Sequence, residues 1–144
     1  WFLGLWLPCF VFRGAKDVPL PLKQHLRFVC ATTKRLAREL FLNMLIYQQR
    51  LESKQNILSR FVDIGTDLFV ISAACSYAAS LVKQKDLHSD ASPVELADLF
   101  CCQARIRIAR NFKDVWHNED KMIKVIAKKL IAGSYEWLEN EIIK

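Results

Sequence analysis

A chain of 144 residues that is 52% hydrophobic and 25% charged, with only 4 Gly and 4 Pro, holds enough apolar material for one packed domain. That balance excludes a disordered chain. Five cysteines, an odd number with no CxxC spacing, form no disulfide framework and no zinc motif along the chain. Free and mostly buried thiols in a reducing compartment are the plain reading.

The net charge of +6 is concentrated at one end. Residues 1–50 hold eight Lys and Arg against two acidic residues, and residues 51–144 hold thirteen of each. The chain opens WFLGLWLPCF rather than with Met, which suits a fragment or a processed product. Residues 1–12 are uncharged, but about 20 residues are needed to span a bilayer. A signal peptide fits poorly, because no basic region precedes this segment and no small-residue cleavage site follows it. Trp1, Phe2, Leu5 and Trp6, with Lys16, Lys23 and Arg27, make an aromatic and basic surface. It suits an anionic membrane surface before nucleic acid. The alternative is a solvated face whose apolar start packs on another part of a longer protein. Residues 1–21 are read as a lead-in, with Pro19 and Pro21 favouring an extended link to a helical domain at 22–144.

From Leu22 the apolar spacing becomes helical and runs to about Gln49, through Leu26, Val29, Leu36, Leu40, Met44 and Leu45. A second long helix is predicted from about Ser53 to Val82. Its apolar arc is Ile57, Leu58, Phe61, Ile64, Leu68, Ile71 and Cys75, with Gly65 and Ser72 small enough for a neighbouring helix to approach closely. The side bearing Arg60, Asp63 and Asp67 becomes Val70, Ala74, Tyr77 and Leu81, so this helix should be half exposed at its start and buried all round at its end. The uncharged stretch 68–82 is accordingly read as core.

After the polar stretch KQKDLHSDASP, Ser92, Pro93 and Glu95 spell a helix start with a capping box. The stripe of that third helix is Ala97, Cys101, Ala104, Ile108, Phe112 and Val115. HNED ends it near Asn118. A fourth helix from Glu119 to about Ile142 should turn Ile123, Ile126, Leu130 and Trp137 inward, with a bend at Gly133-Ser134. The fold class is therefore all-α, an antiparallel bundle of about four long helices.

Chemistry is sparse. There is no GxGxxG, GxxxxGK[ST], GxSxG or HExxH, and His25, His88 and His117 stand at no ligand spacing from one another, from Cys or from carboxylates. No catalytic, cofactor-binding or metal-binding residue is assigned. Asp63 and Asp67, four apart on one helix face with Arg60 a turn earlier, are the most distinctive charges. A di-metal bundle would need ExxH elements, and none occurs. The carboxylates are read as a structural anchor that meets arginines of neighbouring helices, such as Arg105 or Arg38.

The segment RLESKQNILSRFVDIGTDLFV carries a resemblance. Gln55, Leu58, Arg60, Asp63, Asp67, Leu68 and Phe69, followed by the A-R-I-R run Ala104–Arg107, resemble the C-terminal helical extension of the very-long-chain acyl-CoA dehydrogenase group, which includes its complex I assembly relative. The likeness covers about residues 18–115. It implies a parent flavoprotein that oxidises fatty acyl-CoA with FAD. The glutamate base, the FAD and the acyl-CoA site of that parent belong to a catalytic core absent from these residues. This chain alone is expected to bind no FAD and to be inactive. The resemblance further implies that the extension packs on the core, supports a homodimer and sits beside a segment touching the inner mitochondrial membrane from the matrix side, or lies in the cytoplasm of a bacterium. The rival readings are a stand-alone interaction or assembly module and, last, a nucleic-acid-binding bundle.

Overall fold

The computed structural model of the chain describes residues 18–84 and 92–140. The helices are α1 (Leu20–Tyr47), α2 (Gln55–Lys83), α3 (Pro93–Trp116), α4 (Asp120–Ile131) and α5 (Glu136–Asn140), with a short 3-10 turn at Gln48–Leu51. Among the described residues there is no strand, and the all-α class holds.

Helix α2 is central. It packs most extensively on α3 and next on α1. Its stripe Ile57, Phe61, Ile64, Leu68, Ile71, Cys75, Ala78 and Ala79 is buried, with steps of three and four residues that keep it on one side of the helix. Facing it, α3 buries Ala97, Cys101, Ala104, Ile108, Phe112 and Val115, the stripe read from the sequence. The pairs Cys75–Cys101 and Asp67–Arg107 show that α2 and α3 run antiparallel. Against α3, His25 lies opposite Asp98, Phe28 opposite Arg105, Arg35 opposite Phe112 and Glu39 opposite Trp116, so α1 and α3 run parallel. The architecture is up, down, up.

Several expectations change. Helix α1 begins two residues early, because Pro19 is its N-cap and Pro21 sits in the first turn, where a missing N–H costs no hydrogen bond. Ser92 flanks α3, and Pro93 occupies the first turn, but the Ser92 side chain makes no cap hydrogen bond. Helix α1 buries Leu22, His25, Leu26, Thr32 and Asn43, whereas Met44 and Leu45 are exposed. Helix α2 is not buried all round at its end: Tyr77 and Val82 are exposed, and at mid-helix Phe69 points outward with 73% of its surface exposed. Helix α2 is also long and apolar enough to cross a membrane by length and composition. Its inner stripe is instead filled by α1 and α3.

The fourth helix departs furthest. No residue of α4 is buried, and Ile123, Ile126 and Leu130 face outward, as does Trp137 in α5. Gly133 takes φ +75° and terminates α4 rather than bending it, with the Ser134 N–H donating to the Lys129 carbonyl at 3.0 Å. A Cβ at Gly133 would approach Glu136 Oε1 to 2.8 Å.

Gly65 is not a close-contact glycine. A Cβ there would meet nothing nearer than Leu36 Cδ2 at 4.0 Å, an ordinary van der Waals contact. Gly65→Ala should therefore raise the urea midpoint, by about 0.5–1 kcal/mol of stability, through the better helix propensity of alanine. A lowered midpoint would show that α1 and α2 need the gap.

Candidate functional site

The charges singled out in the sequence go to separate destinations. Arg60 turns to α4, donating from both terminal nitrogens to Asp120 at 2.7 and 2.8 Å, and Asn56 adds a third donor to the same carboxylate at 3.1 Å. Both partners are mostly shielded, with side chains 18% and 21% exposed. The hydrogen bond from Arg60 holds the Asp120 carboxyl below the usual carboxylate range, and Asp120 in turn raises the Arg60 guanidinium. Asp67 meets α3, but through Arg107 at 2.6 Å and not through Arg105 or Arg38. Arg107 is half exposed. Arg105 instead lies 4.5 Å over the Phe28 ring of α1. Asp63 is exposed, and no described residue pairs with it. Of the residues read as membrane-contacting, Trp1, Phe2, Leu5, Trp6 and Lys16 lie outside the described residues, Lys23 is half-buried in α1 and Arg27 is exposed.

Cys75 and Cys101 bring their sulfurs to 3.7 Å inside the α2–α3 seam. Burial pushes both thiols up, Cys101 to about 12. They are neutral packing groups, not nucleophiles.

One polar cluster was not legible along the chain. His25, only 2% exposed, donates from Nε2 to Asp98 Oδ1 at 2.7 Å across the α1–α3 seam, and its Nδ1 is buried without a partner. Cys102, one helical turn after Asp98, adds its sulfur to the same spot. The signal available in the sequence was the i, i+4 pair Asp98 and Cys102. His25 lies 73 residues from Asp98, and only tertiary packing brings it there.

Two open grooves lie on this surface. One of about 560 Å³ runs between the 3-10 turn, α2, α3 and α4, and the other, of about 480 Å³, lies beside Pro93 and Leu96. Both open to solvent. FAD would need an enclosed apolar slot for its ring system, and these grooves offer none.

Comparison with known proteins now assigns the fold. The sequence profile of the family "ACAD9/ACADV, C-terminal domain" matches residues 22–134. The chain belongs to this acyl-CoA dehydrogenase C-terminal domain family. It is also 38% identical, over 148 aligned positions, to proteins named "Probable acyl-CoA dehydrogenase FadE10" from Mycobacterium bovis and from two strains of Mycobacterium tuberculosis. Those alignments take in 99% of this chain and 22% of each relative, so the chain spans about a fifth of the relatives' length. No solved structure matches it significantly. In this C-terminal domain two charges of the motif that carried the resemblance are helix ties, Arg60 binding α2 to α4 and Asp67 binding it to α3, while Asp63 ties nothing among the described residues.

The Arg60–Asp120 tie has a defined pH dependence. Because its carboxyl is depressed in the folded chain, its contribution is complete above the unfolded carboxylate pKa of about 4 and is lost as pH falls through the lowered folded value. Arg60→Gln should remove about 1 kcal/mol at neutral pH and progressively less in acid. Amide exchange should rise across Asp120–Ile131 more than in the α2–α3 seam. Equal losses at all pH values would disprove the assignment.

Proposed function

We propose that this chain is the C-terminal helical domain of an FAD-dependent acyl-CoA dehydrogenase of fatty-acid β-oxidation, and that it serves packing and assembly rather than catalysis. The observation that carries this reading is the outward apolar surface of α2 and α3. Val62, Phe69 and Tyr77 on α2 are each about two-thirds exposed or more, and Leu96, Leu99 and Ile106 form a second outward stripe on α3. A bundle that has already filled its own core has no use for such stripes, which mark contact surfaces. The occupant supported by the family match and by the 22% coverage is the catalytic core of the parent dehydrogenase. Support of a homodimer is the companion role. The bacterial origin of the matched relatives favours the cytoplasm over a mitochondrial matrix.

The test is co-expression of this chain with the catalytic portion of the parent enzyme. The two should co-purify, with FAD only on the catalytic portion, and Phe69→Asp should abolish the complex while the helical circular dichroism of the chain stays native. A yellow preparation of this chain alone, or a complex indifferent to Phe69→Asp, would overturn the reading. A stand-alone assembly module is the second outcome, indicated by a stable folded chain that ignores the catalytic portion.

A separate observation favours docking to a membrane surface. Helix α4 sets Ile123, Ile126 and Leu130 on one side and Lys121, Lys124 and Lys128 on the other, is buried nowhere, and is followed by exposed Trp137 and Leu138. A basic amphipathic helix of that kind suits an anionic bilayer surface. Vesicles containing anionic phospholipid should sediment the chain, less so as salt rises. Ile126→Glu should abolish this binding. If deletion of residues 1–17 abolishes it and Ile126→Glu does not, docking belongs to the opening segment and not to α4.

A further inference from the structure

We propose that His25, Asp98 and Cys102 form a zinc site that clips the N-terminal end of α1 to α3. The imidazole nitrogen, one carboxylate oxygen and the sulfur all lie within 4.8 Å of one another. Ligands of a tetrahedral zinc, bonded at about 2.0–2.3 Å, stand roughly 3.3–3.8 Å apart, so small side-chain rotations bring the three into place. The 2.7 Å contact between His25 Nε2 and Asp98 then opens slightly as the metal takes the place of the Nε2 proton, which shifts to Nδ1, while the Cys102 thiol releases its proton to solvent.

The donor set selects the metal. One nitrogen, one oxygen and one thiolate suit a borderline-soft ion, and the nitrogen and sulfur disfavour calcium and magnesium. Asp98 and Cys102, four residues apart on α3, present their donors on one face, and α1 supplies the third. His25 is preset for the role. Its ring is packed away from solvent, Nδ1 has no partner, and its one hydrogen bond is the one in this cluster. No other acceptor competes for its orientation. Asp98 is 45% exposed and Cys102 is exposed, which gives the ion a way in and leaves a fourth position for water.

The place gives the site its purpose. Leu22 and Leu26 are buried on either side of His25, and Phe28, Val29, Leu36, Leu40 and Tyr47 of α1 pack partly buried against the core. Cation–ring contacts and the Trp116–Glu39 hydrogen bond further tie α1 to α3 along its length. An ion that binds the folded chain and not the unfolded one stabilises this seam in proportion to its concentration.

The experiment is titration of the reduced, metal-free 144-residue chain with Zn²⁺ and with Co²⁺ as a spectroscopic probe. One equivalent of zinc should bind and raise the Tm, and cobalt should give a thiolate-to-metal charge-transfer band. Cys102→Ser should remove the band and weaken zinc binding at least about tenfold, and Asp98→Asn should weaken it as well. Both positions are exposed enough for the fold to survive, which circular dichroism verifies. Failure of the parent chain to take up stoichiometric zinc, or equal affinity in Cys102→Ser, would overturn the proposal.

Discussion

The apolar seam between α2 and α3 is the contact around which the other elements are arranged. Ile64, Ile71 and Cys75 on one side and Cys101, Ala104 and Ile108 on the other are essentially withdrawn from solvent. Each such side chain contributes on the order of 1.5–3 kcal/mol through burial, alanine and cysteine less, and the steps of three and four residues keep the stripes continuous over some six turns. Helix α1 adds buried Leu22 and Leu26 to this core, with Phe28, Val29, Leu36, Leu40 and Tyr47 packed partly buried against it. Specific contacts to α3 accompany that packing: His25 to Asp98, Phe28 under Arg105, Phe112 under Arg35, and Glu39 to Trp116. A seam of that kind fixes register by specific partners, where a purely apolar one tolerates sliding.

That division explains how much of the fold was legible in the sequence. The stripe of α3 could be read residue by residue because a helix packed on one side obeys a single period. The inner face of α2 was equally plain. The outer side of its end was misread, since Tyr77 is apolar whether its cover comes from this chain or from another. Helix α4 shows the same ambiguity. The apolar side with Ile123, Ile126 and Leu130 has the right period for a core, and periodicity does not say which surface it meets. In α1 the failure was of another kind. His25, Thr32 and Asn43 are buried polar residues, and a hydrophobic pattern passes over them.

The candidate sites divide along the same line. Charges near in sequence were noticed and their partners were not, because a partner is chosen by the crossing of helices and not by spacing. Arg107 rather than Arg105 reaches Asp67 because residue 107 lies on the α2 side of α3, whereas residue 105 lies on the α1 side and stacks on Phe28. Two positions along a helix amount to about 200° of rotation, which sends neighbouring arginines of one run to different helices. The His25 cluster combines both difficulties, a buried polar residue and a partner 73 residues away.

Asp63 is the charge in the motif that the bundle does not use. Arg60 and Asp67 are committed to α4 and α3, while Asp63 stands exposed a residue from Val62, at the margin of the outward apolar surface. A carboxylate at the edge of a contact surface is inexpensive at a solvated rim and costly in a dry centre unless a cation meets it. Its position therefore constrains the occupant of that surface. A partner that covers Phe69 and Tyr77 must either leave Asp63 in water or bring an arginine or lysine to it.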